Sequence, residues 1–351
     1  MLLIVLSDVM SNMWKPVPVG KAVGKKLLHD ITLITEETKG AIFRKGHVIE
    51  PKDVELLKKA GHYYVFVEEE FEEDIVLEDE AVKVFAEYIS GPNVYVKNVE
   101  EGKAMVFAKC TGLLKVNYEG LLVVNSSGSF VIVSRQGNIG VNENELVAVV
   151  DLIPLAIRRN EINDLKDKVR KHLPLIYVKP FKRKKVGLIV TGTEIYEGRV
   201  KDLASDKVKE KVEKYGGVLC EAVVVPDNEE YIKSKILEYI SKYDIVILTG
   251  GMSVDPTDKT PKAIASTGAK IVAYGIPVKP TTMSMIAYLN SKPVIGVSSG
   301  IIYFREENVL DILLPKIMAD ERWTKEDIAK LGYGGIMPIY LAKKIGKYKT
   351  Q

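Results

Sequence analysis

The strongest constraint on the fold is a regular alternation of apolar strands and amphipathic helices that begins at Val186. Strand-like runs occur at Val186–Val190, Val218–Val225, Asp244–Leu248, Lys270–Ala273 and Pro293–Val297. Helix-like segments cover residues 202–215, 228–242, 259–266 and 303–319. Strands that alternate with helices of this length predict a parallel sheet with helices on both faces. We therefore expect an α/β, three-layer domain with a parallel sheet over residues 184–320.

Two smaller β-rich modules are predicted ahead of this domain. In residues 1–80 the apolar spacing of Pro51–Lys59 indicates one helix, which Gly61 would cap. Residues 1–6 are apolar and are expected to form a first strand or a disordered leader. Residues 81–157 carry strand-like runs at Met105–Phe107, Leu121–Val124, Phe130–Val133 and Leu146–Val150. The nine acidic residues within 68–80 predict an exposed connection between the two modules.

A basic stretch follows and is predicted to be a linker over residues 158–183. Residues 158–185 hold eleven Lys or Arg and three acidic residues. A tethering helix with a solvated basic face explains this charge, and steering of an anionic ligand is the alternative. Residues 321–351 are expected to form a tail with a short helix and a Gly-rich, Lys-rich end.

The bulk composition excludes some partners. The net charge of +3 is too small for the chain as a whole to resemble a nucleic-acid-binding protein. No apolar run approaches the roughly 20 residues that a membrane span needs. The two cysteines, Cys110 and Cys220, have no metal-ligand spacing and fit a reducing compartment. We expect a cytoplasmic protein that contacts neither nucleic acid nor membrane.

The candidate binding groups follow the predicted strands directly. In a doubly wound sheet, ligands bind outside the carboxyl ends of the strands, where backbone N–H groups point at anions. The segments at these ends are Thr191-Gly192-Thr193-Glu194, Asp227, Thr249-Gly250-Gly251-Met252-Ser253 with Asp258, Lys279-Pro280-Thr281 and Ser298-Ser299-Gly300. Glycines allow close backbone approach, hydroxyls donate to phosphate oxygens, and carboxylates are ligands of Mg²⁺.

Some of these residues have a purely structural alternative. Asp227 either caps the helix at 229–242 or binds a metal ion. Ser298, Ser299 and Gly300 either cap the next helix or join the binding rim.

Taken together, these motifs resemble the molybdopterin-binding domain. That domain is shared by enzymes that adenylylate molybdopterin, by enzymes that insert molybdenum, and by the N-terminal domain of competence-damage-type proteins. The resemblance rests on Gly192-Thr193-Glu194, on Asp227, and on Gly250-Gly251-Met252-Ser253-Val254 followed by Asp258-Lys259-Thr260. Upstream, His29-Asp30-Ile31-Thr32 and Lys45-Gly46-His47-Val48-Ile49 look like segments of proteins that carry β modules ahead of this domain.

The chain departs from the insertion enzymes at four places. Thr193 stands where they have a carboxylate, and Asp255 stands where a Gly follows Ser-Val. Pro277-Val278-Lys279-Pro280 replaces a Pro-Gly-Lys-Pro-like loop, and Val297-Ser298-Ser299-Gly300-Ile301 replaces a Leu-Pro-Gly-Asn-Pro-like turn. These changes alter both the backbone approach and the charge at the rim.

The resemblance implies a ligand, a metal ion and a reaction. The ligand would be molybdopterin or its adenylylated form, and molybdate is the possible substrate of a transfer reaction. Mg²⁺ would be held by Glu194, Asp227 and Asp258, and the catalytic residues would be Asp258, Asp227 and Lys279, with Lys279 contacting an anion. The ligand-binding residues would be Thr191, Gly192, Thr193, Gly250, Gly251, Ser253, Thr260, Pro280, Ser298, Ser299 and Gly300.

Two other functions remain open from the sequence. The altered loops favour a non-catalytic carrier or sensor of the cofactor. A nucleotide pyrophosphatase like the competence-damage proteins is the third hypothesis. The resemblance also implies a homo-oligomer, with a dimer favoured.

Overall fold

A computed structural model describes residues 15–35, 39–68, 73–253, 255 and 258–348. The chain forms two compact units. The N-terminal unit comprises residues 1–109, 116–135 and 144–177, and the C-terminal unit comprises residues 110–115, 136–143 and 178–351. The predicted strand or leader at residues 1–6 lies outside the described residues. The domain boundaries predicted at residues 80, 157, 183 and 320 stay predictions.

The first part of the N-terminal unit is a small β-rich module, as predicted. Its elements are the strands Val17–Pro18, Ile31–Ile34, Lys39–Phe43 and Tyr64–Val65, the 3-10 turn Val19–Lys21 and the helix Asp53–Lys59. The helix ends as expected at Gly61, whose φ is +85° and whose N–H donates to the carbonyl of Lys58. Leu27, Ile31 and Leu57 are buried in its core.

The second part of the N-terminal unit is built on a four-stranded antiparallel sheet. In spatial order its strands are Val94–Glu100, Lys103–Ala108, Leu146–Leu152 and Phe130–Ser134. The helix Glu78–Ile89 packs on this sheet, and Ile75–Leu77 pairs with Ala156–Arg158. The strands predicted around residues 105, 130 and 146 are confirmed.

The strand predicted at Leu121–Val124 is wrong, because these residues lie in the helix Tyr118–Asn125. The Asn117 side chain accepts a hydrogen bond from the Gly120 N–H at 3.0 Å and so caps the helix. A short apolar run fits a strand or a helix equally well, and the cap decides between them here.

The basic stretch contains the predicted helix, at Arg159–Val169, followed by a 3-10 turn at Arg170–His172. Ile162, Leu165 and Val169 are buried, and the helix packs on Glu78–Ile89. The next strand, Ile176–Pro180, belongs to a three-stranded sheet with Gly112–Val116 and Gly140–Val141.

The C-terminal unit contains a six-stranded sheet. In spatial order its strands are Val218–Val225, Lys185–Thr191, Ile245–Thr249, Lys292–Val297, Met285–Leu289 and Lys270–Tyr274. The first four are parallel to one another, and Met285–Leu289 runs antiparallel to both of its neighbours. Parallel strands at the centre of an α/β domain confirm the predicted fold class.

Helices cover both faces of this sheet, so the three layers are also confirmed. The helices of the C-terminal unit are Thr193–Tyr196, Ser205–Lys214, Glu229–Lys242, Thr260–Ser266, Val309–Met318, Lys325–Lys330 and Pro338–Tyr348. Leu188 belongs to a core formed with Val208 and Leu313, whereas its neighbour Ile189 belongs to a core formed with Ile236 and Ile264. Successive side chains of a strand point to opposite faces, so the two cores lie on opposite sides of the sheet.

Several elements differ from the sequence prediction. The tail contains two helices, Lys325–Lys330 and Pro338–Tyr348, where one short helix was expected. The strand Met285–Leu289 was not predicted; it forms a hairpin with Lys292–Val297 through Asn290 and Ser291, whose φ values are +48° and +67°. The long helix expected over residues 303–319 begins only at Val309, because the Asn308 side chain caps it by accepting from the Leu310 N–H at 3.0 Å. A 3-10 turn, Ser299–Ile302, precedes it.

Within the described ranges no helix combines the length and the apolar character needed to cross a bilayer.

Candidate functional site

Three neighbouring parallel strands end at one edge of the C-terminal sheet, at Thr191, Val225 and Thr249. The loops that follow them enclose a cleft of about 460 Å³, here called the strand-end cleft. It is lined by Val190, Thr191, Gly192, Glu194, Ile195, Val200, Lys201, Asp202, Leu203, Ala204, Asp227, Thr249, Gly250, Gly251, Asp258, Ser299, Ile302 and Tyr303. Eight of the sequence-predicted site residues therefore meet here, as the rule on strand ends predicts.

The floor of the cleft is the Gly250-Gly251 pair. Both residues have a positive φ, +96° and +54°. A Cβ at Gly250 would lie 2.1 Å from the carbonyl oxygen of Thr191, and one at Gly251 would lie 2.9 Å from Oγ1 of Thr260. The two glycines thus allow a close approach of two strands that no other residue would permit. In the described part of the chain, neither glycine N–H has a hydrogen-bond acceptor.

Three threonine hydroxyls lie directly below this floor. Oγ1 of Thr260 donates to the carbonyl of Gly250 at 2.9 Å and lies 3.1 Å from Oγ1 of Thr191. Oγ1 of Thr191 also donates to the carbonyl of Thr249 at 3.5 Å. The hydroxyl of Thr249 is buried and has no hydrogen-bond partner among the described residues. An unpaired buried hydroxyl costs free energy, which a ligand acceptor in the cleft would offset.

Asp227 is fixed by Thr193 on the neighbouring loop. Oδ2 of Asp227 accepts from the N–H of Thr193 at 2.8 Å and from its hydroxyl at 3.1 Å. The Thr193 hydroxyl in turn accepts from the N–H of Asp227 at 3.1 Å. The other oxygen, Oδ1, lies on the side of Gly251, 3.5 Å from where a Cβ of that glycine would stand. One carboxylate oxygen is therefore anchored and the other faces the glycine pair.

The structure also decides the two structural alternatives at this edge. The cap of the helix Glu229–Lys242 is Asn228, whose side chain accepts from the Tyr231 N–H at 3.0 Å, so the capping alternative for Asp227 is wrong. Ser298 precedes the 3-10 turn Ser299–Ile302, but its side chain makes no capping hydrogen bond.

The remaining carboxylates of the predicted metal set also line the cleft. Oδ2 of Asp258 accepts from the N–H of Ser253 at 2.7 Å, which holds the loop after Gly251 in place. Glu194 is exposed at the cleft edge. Among the residues that the structure describes, no group of three or more His, Cys, Asp or Glu side chains is close enough to hold a metal ion. The three carboxylates share a cleft without forming a preformed three-ligand centre.

Seven predicted site residues do not line the cleft: Thr193, Ser253, Thr260, Lys279, Pro280, Ser298 and Gly300. Thr193, Ser253 and Thr260 support it through the hydrogen bonds described above. Lys279 is exposed, and its backbone pairs with Gly335 and Met337. Gly300 lies in another cluster, where its Cβ would stand 3.2 Å from Thr281 and 3.4 Å from Ser298.

Ten lining residues were not predicted as site residues; the polar ones that lay outside every motif are Lys201, Asp202 and Tyr303. Lys201 makes no ion pair with any described residue and contributes a positive charge. Asp202 starts the helix Ser205–Lys214 by accepting from the N–H groups of Ala204 and Ser205 at 2.8 and 3.1 Å. Lys201 and Asp202 follow the short helix Thr193–Tyr196 at the carboxyl edge of the sheet. Their position in the sequence could therefore have identified them as candidates.

Tyr274 is hydrogen-bonded to the loop that follows Gly250-Gly251. The Tyr274 hydroxyl donates to the carbonyl of Met252 at 3.0 Å. Burial raises the pKa of this phenol, and the negative charge of Asp258 adds to the effect. Tyr274 is therefore a neutral donor that holds the loop.

Comparison with known proteins assigns this part of the chain to a family. Residues 187–315 match the family model described as a probable molybdopterin binding domain, so the resemblance seen in the motifs is confirmed for this segment. By this match the segment is similar to molybdopterin-binding domains, and it makes up 129 of the 351 residues. Residues 16–69 match a second family, described as a domain of unknown function.

Two curated relatives carry the name molybdopterin molybdenumtransferase. The one from Haemophilus influenzae is 25% identical over 190 residues, which are 51% of this chain and 45% of that protein. The one from Staphylococcus aureus strain COL is 26% identical over 133 residues, 35% of this chain and 31% of that protein. The chain thus spans less than half the length of these relatives.

Two solved structures are similar at low identity. The molybdopterin biosynthesis enzyme MoaB of Thermus thermophilus has a TM-score of 0.35 at 16% identity, covering 40% of this chain and 99% of that one. The molybdopterin biosynthesis protein of the MoeA type from Pyrococcus horikosii has a TM-score of 0.33 at 15% identity, covering 70% of this chain and 79% of that one.

Proposed function

We propose that the C-terminal unit binds molybdopterin, or its adenylylated form, as a step of molybdenum cofactor biosynthesis, with the pterin phosphate in the strand-end cleft. The observation that carries this proposal is the Gly250-Gly251 pair, which lines the cleft and whose N–H groups have no acceptor in the described part of the chain. A phosphate oxygen would accept from these two N–H groups. These are the donors that phosphate-binding loops use.

The charge of the cleft fits the same ligand. Lys201 is the lysine that lines it, and we assign the anion contact to Lys201 rather than to Lys279, which lies outside the lining. An ammonium group acts as a point charge on a phosphate or a molybdate. The acidic residues opposite would repel a bare phosphate, so their presence favours a metal ion between carboxylate and ligand.

The donor set fits Mg²⁺ better than a metal held by protein alone. Mg²⁺ usually takes one or two carboxylates and completes its shell with water and phosphate oxygens. The free oxygen of Asp227 and the carboxylate of Asp258 are the residues that would hold it, with Glu194 at the exposed edge. When bound, the ion would neutralise charge that develops on phosphate and molybdate oxygens.

For a molybdate transfer, this chain's own residues would bind and orient the ligand. Thr193 keeps Asp227 in one orientation, and the Asp258 carboxylate keeps the loop at Ser253 in place. Pre-oriented groups lower the entropic cost of bringing two reactants together. We therefore infer positioning and electrostatic stabilisation as the catalytic contribution, with Asp227 and Asp258 as the residues nearest the reacting oxygens.

One observation favours a second function, a non-catalytic carrier of the cofactor. Thr193 stands where the insertion enzymes have a carboxylate. Its hydroxyl already makes two hydrogen bonds with Asp227. The cleft therefore has one negative charge fewer for a metal ion.

Calorimetric titration of the full chain with molybdopterin, with and without Mg²⁺, tests the binding proposal. We expect binding that tightens with Mg²⁺ and that weakens about tenfold in Asp258→Ala, since one charge-assisted contact contributes about 1.4 kcal/mol or more. Release of AMP from adenylylated molybdopterin in the presence of molybdate then separates the enzyme from the carrier.

Asp206→Ala is the matched control, because Asp206 is an exposed aspartate outside the cleft. Its affinity should equal that of the wild type. Absence of any molybdopterin binding to the folded wild-type chain would refute the proposal.

A further inference from the structure

The four-stranded antiparallel sheet of the N-terminal unit has one covered face and one open face. On the covered face, Ala104, Val106, Ile132 and Val150 are buried, at 3% exposure or less, and the helix Glu78–Ile89 packs on the sheet. Successive side chains of a strand point to opposite faces, so the residues between these four lie on the other side of the sheet. That side is here called the open face.

The centre of the open face is apolar. Its apolar residues are Tyr95, Met105, Phe107, Val131, Val133, Leu146 and Val149, and each of them is partly or largely exposed. Val133 is 61% exposed and Leu146 is 40% exposed. The rings of Tyr95 and Phe107 stack with their centroids 5.6 Å apart. A contiguous apolar patch marks an interaction surface, and a sheet face is too flat for a small molecule, which binds in a concave site.

The rim of the open face carries charges of both signs. Lys97, Glu100 and Asp151 make no ion pair with any described residue. Lys103 stands opposite Asp151 in the strand pairing, but its ammonium group lies 3.9 Å from the carboxylate of Glu101. A rim of mixed sign does not select a nucleic acid or another uniformly charged partner, whereas it suits a surface that carries the same mixture.

The register of the two central strands, Lys103–Ala108 and Leu146–Leu152, makes the open face complementary to itself. Three residues of the first strand stand opposite three of the second: Lys103 opposite Asp151, Met105 opposite Val149, and Phe107 opposite Leu146. A rotation of 180° about an axis that runs parallel to these strands and between them exchanges the two members of each pair. Two copies packed face to face around this axis therefore bring lysine to aspartate and apolar residues to apolar residues.

The size of the open face indicates how strong such a contact is. Four strands about 4.8 Å apart, with about 3.4 Å per residue along each strand, form a face of about 19 by 20 Å. Its flat area of about 400 Å² is well below the roughly 800 Å² that each partner contributes to a standard interface. The contact is therefore one that dissociates on dilution.

We propose that the open face binds the open face of a second copy of this chain, with the two sheets related by the two-fold axis between the central strands. Sheets that pack face to face lie about 10 Å apart, and the side chains of Met105, Phe107 and Val149 fill this space. All the residues of the open face belong to the N-terminal unit. The pairing is thus independent of the ligand proposed for the C-terminal unit.

Sedimentation velocity of the full chain over a range of concentrations tests this inference. We expect the wild type to sediment as a dimer that dissociates into monomers on dilution. Met105→Glu places a charge at the apolar centre and should weaken the association at least about tenfold, because a carboxylate without a partner is costly to bury. Tyr118→Glu is the matched control, since Tyr118 is 72% exposed on the helix Tyr118–Asn125 and lies outside the open face. It should associate like the wild type.

An exchange of charges tests the axis itself and does not alter the apolar centre. Lys103→Asp and Asp151→Lys each bring like charges together in the dimer, so each variant alone should associate about tenfold more weakly than the wild type. In an equal mixture of the two variants, every aspartate at these positions meets a lysine of the other copy. The mixture should therefore dimerise with about the wild-type affinity.

Three results would overturn the inference. A wild type that stays monomeric at every concentration would leave the open face to a different protein. A dimer that Met105→Glu does not weaken would lie on another surface. Charge variants that keep the native circular dichroism spectrum but fail to associate when mixed, or that associate like the wild type when alone, would exclude the two-fold arrangement.

Discussion

The shape of the cleft depends on the absence of a Cβ atom at Gly250. Its φ of +96° is costly for any residue with a Cβ, and that Cβ would stand 2.1 Å from the Thr191 carbonyl. The strand ends at Thr191 and Thr249 would have to separate, and the three hydroxyls below would lose their spacing.

We expect Gly250→Ala to lower the free energy of unfolding by about 3 kcal/mol and to abolish phosphate binding, because the strain of a positive φ adds to a backbone clash. Gly268→Ala is the control, since Gly268 has a φ of +82° but open space around it. It should cost only about 1 kcal/mol. Urea unfolding measures both, and equal losses would contradict the role of the close approach.

Individual site residues were predictable to different degrees. Glycines, hydroxyls and carboxylates at strand ends stand out because the chemistry needs them, and eight of them do line the cleft. Lys279 was chosen by its motif, yet its side chain is outside the lining, while Lys201 is inside it. A motif indicates where the backbone runs but does not determine which of two lysines lines the cleft.

Two helices of the C-terminal unit, Ser205–Lys214 and Val309–Met318, are joined by a buried charge network. Asp311, in the helix Val309–Met318, accepts from Nζ of Lys211 at 2.6 Å, from Nζ of Lys214 at 2.9 Å and from the Tyr215 hydroxyl at 2.8 Å. Burial by itself raises the pKa of Asp311, but the hydrogen bonds and charges of the two lysines more than offset it, so the pKa is lowered from 3.8. The negative charge therefore stabilises the packing of the two helices.

We expect Asp311→Asn to lower the free energy of unfolding by about 3 kcal/mol at pH 7, because Lys211 is buried and would lose its partner. A lowered folded-state pKa means that the contribution is fully present above pH 3.8 and is lost as the pH falls through the folded value. The difference between variant and wild type should shrink in that acidic range, as measured by urea unfolding at pH 7, 5, 4 and 3.

Glu238→Gln is the control for this experiment. Glu238 pairs with Lys235 and Lys242 on an exposed helix face, where ion pairs contribute little. A large effect in the control, or a difference for Asp311→Asn that persists unchanged at pH 3, would contradict the assignment.

Most elements of the C-terminal unit followed from local patterns. The runs at Val218–Val225 and Lys270–Tyr274 are strands because their periodicity and flanking turns allow little else. The errors arose where a cap decided the outcome, as at Asn117 and Asn308, or where a two-residue turn joined two buried runs, as at Asn290-Ser291. Caps of this kind act on one or two N–H groups and leave no periodic signal.

At the scale of the whole molecule, the C-terminal unit is assembled from three separate stretches of chain. Residues 110–115 and 136–143 belong to it although most of the unit begins at residue 178. Lys115 is an example: its Nζ lies 2.9 Å from the Glu321 carboxylate, 206 residues further along the chain. Lys179 is also within 3.5 Å of the same carboxylate.

We expect Lys115→Met to lower the thermal midpoint of the C-terminal unit by about 3 °C, since a half-buried ion pair contributes about 1 kcal/mol and each kcal/mol corresponds to roughly 2–4 °C in a domain of this size. Burial alone raises the pKa of Glu321, and the Lys115 contact turns this into a net lowering, so the substitution should also raise that pKa. Differential scanning calorimetry measures the midpoint. Lys109→Met, at an exposed lysine outside this contact, should leave it unchanged, and a loss of equal size there would rule out the ion pair as the cause.

By itself, the sequence determined the alternation of strands and helices, the class of sheet and the edge at which the candidate binding groups lie. These properties depend on periodicity, on turn residues and on the chemistry of a few side chains, all of which are local in the chain. Only the tertiary structure decided the antiparallel strand Met285–Leu289, the pairing of Asp227 with Thr193, the unpaired Thr249 hydroxyl and the position of Tyr303 in the strand-end cleft. The Asp227–Thr193 pair, the Thr249 hydroxyl and the position of Tyr303 depend on which segments of the chain meet at a distance of about 3 Å. The antiparallel strand depends on the two-residue turn Asn290-Ser291, which leaves no periodic signal.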